Sequence, residues 1–221
     1  MKKTAILASF AAMFMFSAFT GNTTITTTPA ANTTSEVAAP AKAVSYKVEA
    51  GKSEVKWHAK KVTGEHMGNI KLKEGQILVD GNKPTGGNFV IDMNSITCTD
   101  IADAEYNGKL IGHLKNDDFF SVDKFPTSTF KITSLTPVKN AAAGKPNYTV
   151  KGNLTIKGIT NPIEFPAVIT VKNGAASAKA DVVVNRAKYD IRYGSTSFFD
   201  SLGDKAIDDN FTLSLNIAAK Q

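Results

Sequence analysis

The chain has 221 residues, 42% of them hydrophobic and 21% charged, and 26 Lys and Arg against 20 Asp and Glu give a formal net charge of +6. The basic residues are scattered, adjacent only at Lys2-Lys3 and Lys60-Lys61, and no basic stripe is interleaved with stacking aromatics, which excludes the footprint of a nucleic-acid binder and leaves mild, transient attraction to an anionic membrane surface. A single cysteine, Cys98, excludes an intramolecular disulfide, so the apolar core alone must hold the fold.

At the N-terminus, Lys2 and Lys3 precede an uncharged apolar run from Ala5 to Phe19 that ends in small residues around Ala18, Thr20 and Gly21. At about 15 residues the run is short of the roughly 20 needed to span a bilayer, and residues 1–21 read as a secretory signal peptide. The mature protein is expected in the periplasm or outside the cell. Residues 22–43 are rich in Thr, Ala and Pro with almost no large apolar side chain. Such a segment cannot bury enough surface to offset its ordering entropy and reads as a flexible tether. Asn22, Asn32 and Asn153 each begin an Asn-x-Thr triplet, a pattern that matters only in a glycosylating host.

From Val44 onward, one domain of 44–221 is dominated by period-two alternation. Val55, Trp57 and Ala59 oppose Lys56, His58 and Lys60; Phe89, Ile91 and Met93 oppose Asn88, Asp92 and Asn94. Phe130 and Ile132 alternate with Thr129, Lys131 and Thr133. Tyr148, Val150, Leu154 and Ile156 form a file interrupted by Gly152, where a bend or bulge is expected. Ile163, Phe165, Ala167, Ile169 and Val171 follow, and Phe211, Leu213, Leu215 and Ile217 close the chain. Shorter segments at Tyr46–Glu49, Gly68–Lys73, Gln76–Asp80 and Ala178–Arg186 bring the total to about ten, mostly separated by Gly, Asn and Pro turns. Consecutive strands with tight turns pair antiparallel, and one apolar face over so many strands requires a sandwich or a barrel. Strands of nine to eleven residues, such as 147–157, favour a barrel.

The stretch from Asp100 to Phe125 departs from this rhythm. Leu110, Ile111 and Leu114 fall at helical spacing, with Asp100 or Asp103 as the cap and Asn116-Asp117-Asp118 as the end. Ahead of the apolar pair Phe119-Phe120, this connection is long enough to serve as a lid or plug. A second long loop, Phe198 to Asp209, carries Phe198-Phe199.

Nothing in the chain has the spacing of an active site. His58, His66 and His113 make no His-x-His pair or i, i+4 pair, and with Asp117 and Asp118 they are read as surface, turn or hydrogen-bonded residues rather than metal ligands. Cys98 has no neighbouring His or acidic partner in a nucleophile motif and reads as a small core residue. No phosphate loop, serine elbow or dinucleotide fingerprint occurs, so no catalysis and no cofactor are expected. Phe dominates the aromatics, 13 against one Trp and five Tyr; alternation alone cannot distinguish a solidly packed barrel from a hollow one, and on that pattern the packed barrel is the expectation.

Four segments carry a resemblance: SITCTD at Ser95–Asp100, KLIGHLKNDDFFSVDKFPTSTF at Lys109–Phe130, GNLTIKGITNPIEF at Gly152–Phe165 and VVVNRAKYDI at Val182–Ile191. In this order they resemble the motifs of the YceI-like family of periplasmic lipid-binding proteins, with Asp190 standing where a Gly is common. The resemblance extends from about Tyr46 to the C-terminus. It implies an all-β fold, an extended eight-stranded antiparallel barrel like that of lipocalins, with one or two short helices in its loops. It also implies an apolar channel for a polyisoprenoid, an isoprenoid quinone or a fatty amide or acid, bound for transport or storage. Mapped onto this chain, Trp57, Phe89, Ile91, Phe130, Ile132, Leu154, Ile156 and Phe165 would line the channel. Leu110, Leu114, Phe119, Phe120, Phe198 and Phe199 would stand near its mouth, and Lys115, Arg186 and Arg192 would meet a polar head group. A homodimer is compatible with this reading. The competing readings are a metal- or heme-handling binding protein and a solid barrel acting through protein partners.

Overall fold

The computed structural model describes residues 43–221; the signal peptide, the tether, Asn22 and Asn32 fall outside the described residues, apart from Ala43. Nine strands form one antiparallel sheet. They are β1 (Val44–Val48), β2 (Glu54–Lys61), β3 (Gly64–Asp80), β4 (Lys83–Asp92), β5 (Thr127–Pro137), β6 (Tyr148–Ile156), β7 (Ile159–Lys172), β8 (Ala175–Asn185) and β9 (Ile207–Lys220). One α-helix, α1 (Ala104–Lys115), joins β4 to β5. No helix among the described residues is long and apolar enough to cross a membrane.

Neighbouring strands run in the order β1-β3-β2-β9-β8-β7-β6-β5-β4, and β4 returns to pair with β3, so the sheet closes. Nine strands make eight staves because β1 and β2 share one position. Both lie between β3 and β9: β2 pairs with the first half of β3, through Val55 and Ile70, and β1 with the second half, through Tyr46 and Ile77. The break between them is a 3-10 turn at Ala50–Lys52. Ser53 repairs the ladder there: its hydroxyl donates to Glu49 O (3.0 Å) and accepts from Ala218 N (3.1 Å). The two segments expected at 68–73 and 76–80 prove to be one strand. Gly75 does not end it but pairs within it, opposite Phe89.

The interior is built from the apolar files. At one end Tyr46, Ile77, Val79, Ala176 and Ala219 pack into a floor. At the other end, where β2, β4, β6 and β8 finish, α1 and the connections after it lie over the barrel. Asp103 caps α1, its carboxylate accepting from Glu105 N (3.0 Å) and Tyr106 N (2.9 Å), and Asn116 terminates it. Asp100, the other candidate cap, is engaged elsewhere. At Asp190 the backbone takes a left-handed conformation, φ 56° and ψ 36°, ending a 3-10 turn; this is the conformation glycine favours, and Asp tolerates it better than most residues.

The interruption at Gly152 has a spatial cause. β5 shifts register between Ile132 and Ser134, opposite Gly152. A Cβ at Gly152 would overlap the Phe130 ring and approach Lys131 O at 2.7 Å. The missing side chain is the space into which Phe130 leans, where it stacks with Phe89 (6.4 Å between centroids) and tilts against Phe165 (5.7 Å). A Gly152→Val substitution should therefore displace Phe130 and destabilise the barrel by about 1–3 kcal/mol through overpacking, read as a lower urea midpoint with an unchanged m-value.

Candidate ligand-binding site

The barrel interior holds two adjoining chambers. Phe89, Phe130, Ile132, Phe165, Ala178 and Ala180 surround the lower chamber, together with Val150, Ala167 and Ile169. Trp57, Ile70, Met93, Phe119, Phe120 and Ile156 surround the upper one. Val55, Ile91, Leu154 and Leu213 border both and form a waist. The centre of a water-sized sphere can occupy about 110 Å³ of the lower chamber and about 120 Å³ of the upper. Each is on the order of ten times what one water needs. The lower wall exposes no polar surface and the upper almost none. Water in such a space would forgo most of its hydrogen bonds, whereas a hydrocarbon chain would lose nothing there.

The hollow follows from the choice of side chains around the ring. β8 lies across the barrel from β4, and it turns Ala176, Ala178 and Ala180 inward where the facing wall carries Phe89. Small residues against large ones would fill a flattened barrel, but with eight staves they leave an axial gap. Inward residues such as Phe89, Ile91, Phe130, Leu213 and Leu215 are consequently only half-buried.

A slot between α1 and the β2–β3 hairpin adjoins the upper chamber. It shares Trp57, Ala59, Leu114, Phe119 and Ile207 with that chamber and adds Leu110, Lys60, Lys61, Glu65 and His66 at the surface. Trp57 is held in place by donating from Nε1 to Thr97 O (3.0 Å).

The residues nominated from the sequence separate into three groups. Trp57, Phe89, Ile91, Phe130, Ile132, Leu154, Ile156 and Phe165 all face the chambers, as do Leu114, Phe119 and Phe120; Leu110 reaches the slot. Phe198 and Phe199 stand outside the chambers, 40% and 49% exposed, with the Arg192 guanidinium 4.9 Å above the Phe198 ring. The three nominated cations are occupied by the protein itself. Lys115 Nζ donates to Asn94 O at 2.7 Å, and Arg192 pairs with Asp190. Arg186 borders the upper chamber but is only 4% exposed, and its guanidinium donates to four backbone carbonyls, those of Asp208, Ile191, Tyr193 and Ile207. The cations at the slot are Lys60, which pairs with Glu65 at 3.7 Å, and Lys61. The sequence signal for them was their standing as an adjacent pair at the end of a strand. The small residues of β8 were also missed, because alternation marks which residues face inward and not how much space they leave.

Arg186 is a clamp. Besides its carbonyls it approaches Asp209 Oδ1 at 3.5 Å. It thereby ties the connection 187–206 to the start of β9. Burial disfavours the charged guanidinium, and the Asp209 and Asp208 carboxylates oppose that effect. Asp209 shows the complementary balance. Burial raises its pKa, but the Ser195 and Ser197 hydroxyls and Arg186 outweigh it and hold the carboxyl below its usual range. Stability from this group is present above its unfolded pKa of about 3.9 and is lost as pH falls through the lower folded value. Arg186→Met, which leaves four carbonyls without their donor and Asp209 without its cation, should cost about 3–5 kcal/mol, whereas Arg192→Met should stay within about 0.5 kcal/mol. Urea unfolding of both variants checks this. In the same assay Asp209→Asn should lose less stability than the wild type as pH is lowered below about 4.

A closed antiparallel barrel with an apolar cavity and a lidded mouth defines a lipocalin-type architecture. Residues 46–219 match the model of the YceI-like domain, and the chain belongs to the YceI-like family. Among sequence relatives, it is 35% identical over 105 residues to the UPF0312 protein YE1254 of Yersinia enterocolitica and 33% identical over the same length to a UPF0312 protein of Yersinia pestis. Each match covers 47% of this chain, and the chain spans about half the length of these relatives, 48%. Among solved structures, Burkholderia cenocepacia BcnA superposes with a TM-score of 0.59 at 22% identity, over 78% of this chain and 99% of that one. A polyisoprenoid binding domain from Saccharophagus degradans, implicated in plant cell wall breakdown, superposes with a TM-score of 0.54 at 14% identity, over 79% and 97%. At these identities the two structures establish a shared fold.

Proposed function

We propose that this protein is a non-catalytic binder of a long-chain amphiphile, a polyisoprenoid, isoprenoid quinone or fatty amide or acid, which it carries or stores in the periplasm after removal of its signal peptide. The observation that carries this reading is the pair of adjoining chambers with an almost wholly apolar wall and a slot beside α1 that shares lining residues with the upper one. A solid barrel acting only through its surface would have no use for such a space. The YceI-like family and the polyisoprenoid-binding neighbour with the same fold support the choice of ligand class.

Binding on this reading needs no covalent step. Each methylene moved from water into the chambers contributes about 0.8 kcal/mol, so a chain that threads the waist gains from both chambers. The polar end would remain at the slot, near Lys60 and Lys61, where water is available. The two-chamber shape favours a flexible linear chain over a compact ring system.

Organic extraction of the protein purified from its native host, followed by mass spectrometry, should release a long-chain lipid, and the emptied protein should take one up again. Leu213→Trp places a large ring at the waist and should lower uptake of long chains at least tenfold while leaving the unfolding midpoint unchanged or higher, since it fills space rather than displacing neighbours. An empty protein that takes up neither prenyl nor acyl chains would overturn the proposal.

A further inference from the structure

We propose that His66, Cys98 and Asp100 form a binding site for one borderline-soft divalent cation, with zinc as its representative, on the outer edge of the barrel beside the slot. One ligand atom from each of the three lies within 4.8 Å of the others, and among the described residues this is the one grouping of three such side chains. The inference does not depend on what the chambers hold.

The site is assembled by backbone that is fixed independently of the three side chains. His66 stands near the start of β3. Cys98 and Asp100 stand on the strap that follows β4, which lies along β3 through Thr97 N to Asn69 O (2.9 Å) and Thr99 N to Met67 O (2.9 Å). This close approach is possible because position 68 is glycine; a Cβ there would collide with Thr97 O. From α1, Asn107 Nδ2 donates to the carbonyls of Cys98 (3.1 Å) and Ile101 (2.9 Å) and holds the far side of the strap. Ligands presented from two registered segments need little reorganisation to bind.

The donor set is an imidazole nitrogen, a thiol sulfur and a carboxylate oxygen. Magnesium and calcium take oxygen shells, whereas zinc accepts this mixture. In the metal-free arrangement Asp100 Oδ2 lies 2.7 Å from His66 Nδ1, and Asp100 Oδ1 accepts from Cys98 Sγ at 3.2 Å. A cation would replace the protons of both contacts. The Cys98 thiol gives its proton to solvent and binds as thiolate, neutral His66 carries its proton on Nε2 and binds through Nδ1, and Asp100 contributes an oxygen. Bond lengths of about 2.0–2.3 Å require the His66 nitrogen and the Asp100 oxygen to move apart from their 2.7 Å contact. The Met67 amide, which donates to Asp100 Oδ1 at 2.8 Å, is placed to orient the carboxylate as an outer-shell partner. Three protein ligands leave a fourth position for water or an outside donor. The other histidines lack this third partner: His58 pairs with Glu65 and His113 with Asp118, each at 3.0 Å.

Titration of the purified, reduced protein with cobalt(II) tests the site, because a thiolate ligand gives cobalt a charge-transfer absorption that carboxylate and imidazole do not. The expected result is one equivalent per chain, a thiolate-to-cobalt band displaced by zinc, and protection of Cys98 from a thiol reagent. Cys98→Ser should abolish the band, and His66→Ala should weaken zinc binding at least tenfold, while circular dichroism and the urea midpoint show both variants folded. Absence of the band in the wild type, or zinc binding of equal strength in the wild type and both folded variants, would overturn the proposal.

Discussion

β3 hydrogen-bonds along one side to β1 and β2 and along the other to β4, and because both sides of this single strand are used, the sheet closes on itself, although β4–β5 and β7–β8 pair over only part of their lengths. Closure leaves no whole strand free on one side as a template for another chain. It also fixes the number of staves and therefore the width of the interior. Every inward residue must then share that width with those across the axis. Alanines on β8 facing the phenylalanine wall cannot meet it by moving the sheets closer, as the two halves of a sandwich could. The empty space is thus a geometric result of closure together with side-chain size.

The polar groups are managed separately from this apolar space. Two of the cations nominated for a head group are engaged by the protein's own backbone: Arg186 donates to carbonyls at the barrel's rim, and Lys115 donates to Asn94 O. A buried guanidinium satisfied by carbonyls serves as a rivet for loops, where a lysine at the same position would offer a single point of attachment. The interior therefore stays apolar although Arg186 borders it.

Much of the fold was legible in the sequence because alternation is a local signal. The files through Phe89–Ile91, Phe130–Ile132, Leu154–Ile156 and Phe165 face inward as their period requires, and α1 falls where Leu110, Ile111 and Leu114 indicated. The continuity of β3 through Gly75 was not legible, since a glycine that ends one strand and a glycine paired inside another look alike until the partner strand is known. The loop aromatics Phe198 and Phe199 sit outside because an apolar pair in a long connection carries no periodicity to say which way it turns. The three-residue cluster at His66, Cys98 and Asp100 was hidden by separation along the chain: Cys98 has no His near it in sequence, and only the strap's pairing with β3 brings His66 alongside.

The two structures over the mouth are fastened unequally. On one side the connection 187–206 is bound through the buried Arg186 to the start of β9, and Ile191 beneath it is fully buried. On the other side α1 has no fully buried residue and meets the barrel through partly buried Ile111 and Leu114. Local opening follows the fewest buried contacts, so the mouth has a fixed jamb and a loose leaf. For a ligand held in the chambers, the rate of exchange would then depend on how often the helix lifts, and it could change through contacts on the helix's outer surface without any change in the affinity of the chambers themselves.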